Sequence, residues 1–349
     1  MMTSVMVKRL VTATLLTATL LTATLISATA FAAPREAPEG RAYYVAQTSR
    51  DGGAQLDLSF YEDELFGSCL LETTGERFEV SGFRDAGGVW RGEIYGAAND
   101  VVGEFTAEFA EQGMTMAGEW RFPPDAQAQQ LRGELVALYV EEFVEKEGVE
   151  IYLSYPRFVA KSPSALLLRD QIAEDAREDA DGFLERARSL RSGGGATTSE
   201  AWSRELRFEI SYYRDDMVSI FIDAYEYVGG AHGQTFFAAR NVALDGMRPR
   251  VFGLDAICEG DDYVEEITEA IADMLEEKDA EFDAPPTVEP TALDASALNA
   301  FTVGPVGLEF AFAPGVIDSR TFDPVFLLVP YDEIDGCLDE SGPLEPLLR

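Results

Sequence analysis

Apolar and polar residues alternate in short runs over residues 33–140, and glycines separate these runs at intervals of about ten residues. Alternation is typical of strands with one buried face, because successive side chains point to opposite faces. Regular short strands predict an antiparallel all-β domain, closed as a small barrel or folded as a sandwich. The runs are clearest at residues 55–61, 77–83, 89–95, 101–109, 114–122 and 131–140.

A mixed pattern follows over residues 141–349. Apolar residues recur at helical spacing over residues 164–190 and 261–281, and Ser162 with Pro163 suits the start of the first helix. Strand patterns occur at residues 149–155, 202–213, 218–227, 234–244, 301–303, 308–312 and 325–329. This part therefore predicts an α+β domain with an antiparallel sheet and two or more packed helices.

The amino terminus has the layout of an export signal. Lys8 and Arg9 precede an apolar run over residues 10–33, and the run ends in an Ala-Phe-Ala segment at residues 30–32. A basic region, an apolar region and a small-x-small cleavage site predict a signal peptide at residues 1–32. We expect a periplasmic or secreted protein with no stable membrane anchor after cleavage. The alternative is a retained anchor, since about 20 apolar residues span a bilayer.

The charge of the chain restricts its partners. Its 349 residues include 63 Asp or Glu, 27 Lys or Arg and one His, which gives a formal charge of −36 at pH 7. Binding to nucleic acid or to anionic lipid needs clustered basic residues, so both partners are excluded. A cationic protein is a partner that this charge favours.

The acidic residues show no metal-binding spacing. Asp179, Asp181 and Gly182 fit three positions of a calcium loop, but Arg177 and Arg188 stand where oxygen ligands are required. We therefore expect Asp179 and Asp181 to face solvent on the first helix. One His and isolated cysteines exclude His-rich and zinc motifs. The sequence predicts no metal and no cofactor.

Three cysteines follow the export signal. They are Cys69, Cys258 and Cys337, and an odd number leaves at least one unpaired. In an oxidising compartment we favour a Cys258–Cys337 disulfide. The alternative is that all three are buried, reduced side chains.

His232 is the one imidazole, and it lies in a glycine-rich turn. A general base needs a nucleophile beside it, and the chain has no G-x-S-x-G segment to supply a serine. We therefore expect a structural role, in which the glycines shape the turn and the imidazole bonds to nearby backbone. A pair of carboxylates for glycoside hydrolysis stays open, because acidic residues abound and nothing selects a pair.

Four aromatic residues of the β domain have two interpretations. Tyr43, Tyr44, Trp90 and Trp120 either line a barrel mouth that binds a small ligand or form the core. The core interpretation is favoured for a small sheet.

Residues 227–235 read YVGGAHGQT and resemble the signature of an envelope domain family of unknown general function. That family forms the extracytoplasmic part of a lysozyme-sensing anti-sigma factor and an accessory region of some peptidoglycan deacetylases. The similarity extends over residues 141–340, including the helix at 261–281 and the ending VPYDEI at residues 329–334. Residues 41–140 resemble the glycine-punctuated β domain that precedes this module in some exported bacterial proteins.

The resemblance implies a binding function rather than catalysis. The chain differs from the family at residues 313–320, and it has neither a sigma-binding segment nor a deacetylase domain with metal-binding histidines. We therefore expect a non-enzymatic envelope protein that binds a lysozyme-like cationic protein or cell-wall material. The alternatives are a carboxylate-dependent hydrolase of wall glycans and a carrier of small apolar ligands. The expected binding residues are Tyr227, Gly229, Gly230, His232, Gly233 and Tyr331.

Overall fold

A computed structural model describes residues 37–49, 52–122, 127–159, 162–192, 202–260, 262–281, 293, 295–317 and 323–348. The predicted signal peptide lies outside the described residues. Among the helices that are described, none is both long and apolar enough to cross a bilayer.

The first eight strands form a closed antiparallel barrel. Each strand pairs with the next, and the eighth pairs with the first. The prediction of an all-β barrel or sandwich is thus confirmed in its barrel form. The strands are β1 (Gly40–Thr48), β2 (Gly53–Tyr61), β3 (Glu64–Leu71), β4 (Arg77–Arg84), β5 (Trp90–Tyr95), β6 (Val101–Ala110), β7 (Thr115–Arg121) and β8 (Gln129–Lys146).

Aromatic side chains fill the barrel interior. The Phe60 ring packs edge-on against Trp90 and Phe109, with ring centroids 5.4 Å and 5.1 Å apart. Tyr44 and Trp120 are also buried there, which agrees with the core interpretation. Tyr43 is equally buried, but it points outward from the barrel into the core of the adjoining sheet.

Gly82 and Gly92 face each other across β4 and β5, and both point into the barrel. A Cβ atom at either position would run into a carbonyl oxygen of the paired strand. Such close backbone approach is a reason for glycine in a strand interior. The barrel wall therefore consists of bare backbone at this point.

The sheet continues beyond the barrel without a break, because β8 passes through residue 140 and pairs with β9 along its second half. The further strands are β9 (Val149–Phe158), β10 (Trp202–Arg214), β11 (Met217–Tyr227), β12 (Gln234–Ala243) and β13 (Arg250–Phe252). β10 lies parallel to β9, whereas the other described pairings of this sheet are antiparallel. This one parallel pair departs from the predicted antiparallel sheet, because helix α1 (Pro163–Ser192) connects the two strands as a crossover.

Helix α1 begins where the sequence predicts. The Ser162 hydroxyl accepts a hydrogen bond from the Ala165 amide at 3.2 Å, as a helix N-cap does. The prediction that Asp179 faces solvent is wrong. Its carboxylate accepts two hydrogen bonds from the buried Arg204 of β10, at 2.9 Å and 2.8 Å. A guanidinium under a helix needs a carboxylate partner, and Asp179 supplies it. Asp181 is exposed, as expected.

A small antiparallel sheet and a second helix complete the fold. They are β14 (Phe301–Val303), β15 (Gly307–Phe312), β16 (Val325–Pro330) and α2 (Tyr263–Glu281). Two buried polar side chains join the small sheet to the large one. The Asn241 amide donates to the Phe301 carbonyl at 3.1 Å, and the Ser219 hydroxyl accepts from the Val303 amide at 2.9 Å.

A disulfide links Cys258 to Cys337 across 79 residues, with their Cα atoms 4.8 Å apart. This is the pairing that we favoured from the sequence. Cys69 is unpaired and lies in the barrel core.

Candidate functional site

One face of the large sheet presents aromatic and charged side chains, and α1 packs on the other face. Strand register places Glu205 between Tyr152 and Tyr225, and it places Asp223 between Arg207 and Phe237. We call this surface the open face. Its charged side chains remain accessible: Glu205 is 40% exposed and Arg207 is 38% exposed.

Carboxylates outnumber guanidinium groups on the open face. Arg207 contacts both Glu205, at 2.5 Å, and Asp223, at 3.4 Å, and its guanidinium lies 5.6 Å from the centre of the Tyr152 ring. Glu209 lies on the same strand face and pairs with Arg41 of β1 at 3.0 Å. The three carboxylates around Arg207 leave the surface with excess negative charge.

Asp223 is a carboxyl group of this surface whose pKa is raised. Partial burial raises the pKa of its carboxyl, and the neighbouring Glu209 and Glu205 raise it further, whereas Arg207 lowers it. A carboxylate held near others gains when a cation approaches, because the cation relieves the repulsion. The arrangement therefore favours a positively charged ligand.

A cleft of about 250 Å³ lies where the open face meets the barrel and the small sheet. Its base is an ion pair in which Arg41 donates two hydrogen bonds to Asp57, both at 2.7 Å. The Arg41 guanidinium also stacks 4.3 Å above the Tyr139 ring. Burial raises the pKa of Asp57, and the hydrogen bonds from Arg41 oppose that rise. The cleft walls include Glu209, Phe221, Glu309 and Phe326.

The predicted GGAHG turn joins β11 to β12 at one end of the open face. Gly229 and Gly230 have φ values of 93° and 108°, in the region that favours glycine. The Tyr227 hydroxyl donates a hydrogen bond to the Gly230 carbonyl at 3.1 Å, which closes the turn. Gly233 lies against the Tyr225 ring, where a Cβ would collide with it. The shape of the turn therefore accounts for the glycines and for Tyr227 without a ligand.

His232 is exposed, and no hydrogen bond from the described residues reaches its imidazole. The expectation that it bonds to nearby backbone is therefore wrong, because the turn directs it to solvent. Tyr331 lies elsewhere. It belongs to the core cluster that also contains Met217 and Ala243, which lie at the opposite end of the β11–β12 hairpin from the turn, and it donates to the Gly304 carbonyl at 2.8 Å. The structure does not bring Tyr331 and the turn together.

Apart from Tyr43, the residues of the cleft and of the charged cluster on the open face were not predicted from the sequence. A signal for the cleft was present at residues 42–46 of β1, which form an uncharged run without alternation. Such a run indicates a strand buried on both faces, so the outward-pointing Arg41 and Tyr43 must contact another layer. Within the described residues, no three His, Cys, Asp or Glu side chains are grouped so as to hold a metal ion.

Comparison with known proteins finds similarity in this region. Residues 143–235 match a family model described as Deacetylase PdaC. That stretch covers 93 of the 349 residues and includes Glu205, Arg207, Asp223 and the GGAHG turn. No curated protein matches the chain.

Two solved structures of DUF3298 family proteins are similar to the chain. The protein from Bacteroides fragilis is 18% identical, with a TM-score of 0.41, and the match covers 61% of this chain and 96% of that one. The protein from Pseudomonas aeruginosa PAO1 is 15% identical, with a TM-score of 0.39, and the match covers 58% and 93% of the two chains.

Proposed function

We propose that the protein is an exported, non-enzymatic binding protein of the bacterial envelope, and that its open face binds a cationic protein such as lysozyme. The observation that carries the proposal is the excess of carboxylates on a sheet face that is also rich in aromatic rings. Glu205, Glu209 and Asp223 surround Arg207 there. We place the protein in the periplasm or outside the cell.

Electrostatics would act at two ranges. The formal charge of −36 attracts a cationic partner from a distance and speeds encounter. At contact, a Lys or Arg of the partner would meet Glu205 and Asp223 next to Arg207. Salt screens such interactions over about 8 Å at physiological ionic strength, so the affinity is expected to fall as salt rises.

Aromatic side chains supply the apolar part of such an interface. Tyr152 and Tyr225 flank Glu205 on the open face, and Phe143 on β8 is 64% exposed. Tyr and Phe are enriched at protein interfaces, where they contribute contact area at low entropic cost. The open face thus combines the two contributions that a cationic protein partner needs. Cell-wall material with amino groups is the other partner that this chemistry suits.

Calorimetric titration with lysozyme at low and moderate salt tests the proposal. The double variant Glu205→Gln/Asp223→Asn removes two charges from the open face. We expect it to weaken binding about tenfold or more, with a steep salt dependence for the unsubstituted protein. The matched control is Glu178→Gln/Asp181→Asn, which removes two exposed charges from α1. Absence of binding at both salt concentrations, or equal weakening by the two variants, would contradict the proposal.

The alternative is a hydrolase of cell-wall glycans that uses carboxylates alone. The observation in its favour is the raised pKa of Asp223 close to Glu205, since glycoside hydrolysis pairs a protonated with an ionised carboxyl group. Incubation with peptidoglycan fragments separates the two functions. Turnover that disappears in the Asp223→Asn variant would establish the hydrolase, and we expect no turnover.

A further inference from the structure

The outer wall of the barrel carries a groove of about 760 Å³ across β3 to β7. Phe66 and Phe83 stand at one side of it, 53% and 59% exposed. Exposed aromatic side chains mark a contact surface when they lie together, whereas single ones are ordinary. The groove is outside residues 143–235 and separate from the open face.

Cross-strand register orders the groove into an aromatic side and a polar side. One row runs from Phe66 through Ser81, Glu93 and Glu104 to Arg121. The next row places Phe83 beside Arg91, followed by Thr106 and Glu119. The backbone of the inward-facing glycine pair in β4 and β5 lies beneath both rows.

We propose that this groove binds a neutral, hydroxyl-rich oligosaccharide. The rings of Phe66 and Phe83 would stack on the C–H faces of sugar units, as aromatic faces pack on apolar surfaces. Hydroxyl groups would then bond to Glu93, Glu104 and Arg121, which offer both acceptors and donors. A volume of about 760 Å³ lies within the range of small-molecule sites and accommodates a few sugar units.

The groove lining is mixed in charge, and its excess of carboxylates over guanidinium groups disfavours an anionic ligand. Arg91 contacts Asp85 at 3.0 Å, so its charge is already paired, and the Tyr95 hydroxyl donates to Glu93 at 2.7 Å, so that carboxylate already accepts one hydrogen bond. A phosphate would face the carboxylates of the groove. A basic peptide would meet Arg91 beside the aromatic side and Arg121 at the far end. A hydroxyl group is compatible with every one of these groups, because it donates and accepts.

The test is calorimetric titration of the full-length protein with chitotetraose, cellotetraose and maltotetraose, each to about 10 mM. We expect one of them to bind, and Phe83→Ala to weaken that binding about tenfold. The matched control is Tyr61→Ala, since Tyr61 is 66% exposed on the same barrel outside the groove. Circular dichroism of each variant reports folding, and an exposed ring is not needed for the fold.

Two results would overturn the inference: no binding of any of the three oligosaccharides, or binding that Phe83→Ala and Tyr61→Ala weaken equally. Binding of tetralysine that depends on Phe83 would also overturn it and would assign the groove to a basic peptide. The Glu205→Gln/Asp223→Asn variant distinguishes this site from the open face. It should retain oligosaccharide binding whatever its effect on lysozyme.

Discussion

Replacing Arg41 by Ala is expected to destabilise the fold strongly, because it leaves Asp57 buried without its partner. The Asp57 side chain is only 12% exposed and receives both of its short hydrogen bonds from Arg41. The Tyr139 hydroxyl lies 3.4 Å from the same carboxylate and cannot neutralise its charge. Breaking a buried ion pair from one side costs about 3–5 kcal/mol. We expect that loss in the free energy of unfolding at neutral pH.

The loss should depend on pH with a defined sign. Burial already raises the pKa of Asp57, and removal of Arg41 raises it further. The folded variant therefore binds a proton that the unfolded chain releases above its ordinary pKa of 3.8. Protonation restores stability at acid pH, and the destabilisation grows as the pH rises through the folded-state pKa. Urea unfolding of variant and parent at about pH 4.5 and pH 7.5 measures this difference.

A double-mutant cycle isolates the pair. Arg41→Ala/Asp57→Ala removes both charges, so it should cost less than Arg41→Ala alone. A loss below about 1 kcal/mol at pH 7.5, or the same loss at both pH values, would refute the reasoning. The reasoning would also be refuted if the losses of stability in Arg41→Ala and Asp57→Ala added up to the loss in the double variant.

Three further variants test structural roles assigned above. Gly82→Ala should lower the free energy of unfolding by about 1–3 kcal/mol, because its Cβ would meet the backbone carbonyl oxygen of Arg91, whereas the exposed His232→Ala should change it by less than about 0.5 kcal/mol. Thermal unfolding of both variants checks this, and equal effects would disprove the assignment. Replacing Cys258 and Cys337 by Ala should lower the free energy of unfolding by about 4 kcal/mol, because the disulfide closes a loop of 79 residues in the unfolded chain. Urea unfolding measures this loss. An unchanged midpoint would show that the disulfide does not stabilise the fold.

The strands and helices were predictable wherever one face is buried. Helix α2 begins two residues after the predicted position 261 and ends at the predicted position 281. Strands β1 and β3 were not among the predicted strands. Both faces of β1 are covered over residues 42–46, so its apolar residues do not alternate. Alternation of apolar and polar residues therefore does not identify a strand that is buried on both faces.

The open face was not predictable, because a bulge sets its register. Counted from the hairpin pair Arg214 and Met217, regular pairing would place Arg207 opposite Ala224. A shift between Ile210 and Tyr212 places it opposite Asp223 instead. One residue of slippage moves a side chain to the other face, so the charged cluster exists only with the bulge. The parallel β9–β10 pair is also set by long-range packing of α1.

Strand β8 is 18 residues long, and it belongs both to the barrel and to the sheet that continues beyond it. Its first half closes the barrel against β1, and its second half supports β9. Proteolysis within β8 would therefore disturb both the closure of the barrel and the support of β9. A truncation at residue 140 would likewise cut a continuous strand. The two proposed binding surfaces therefore lie on one continuous sheet, and we expect the distance between them to stay fixed.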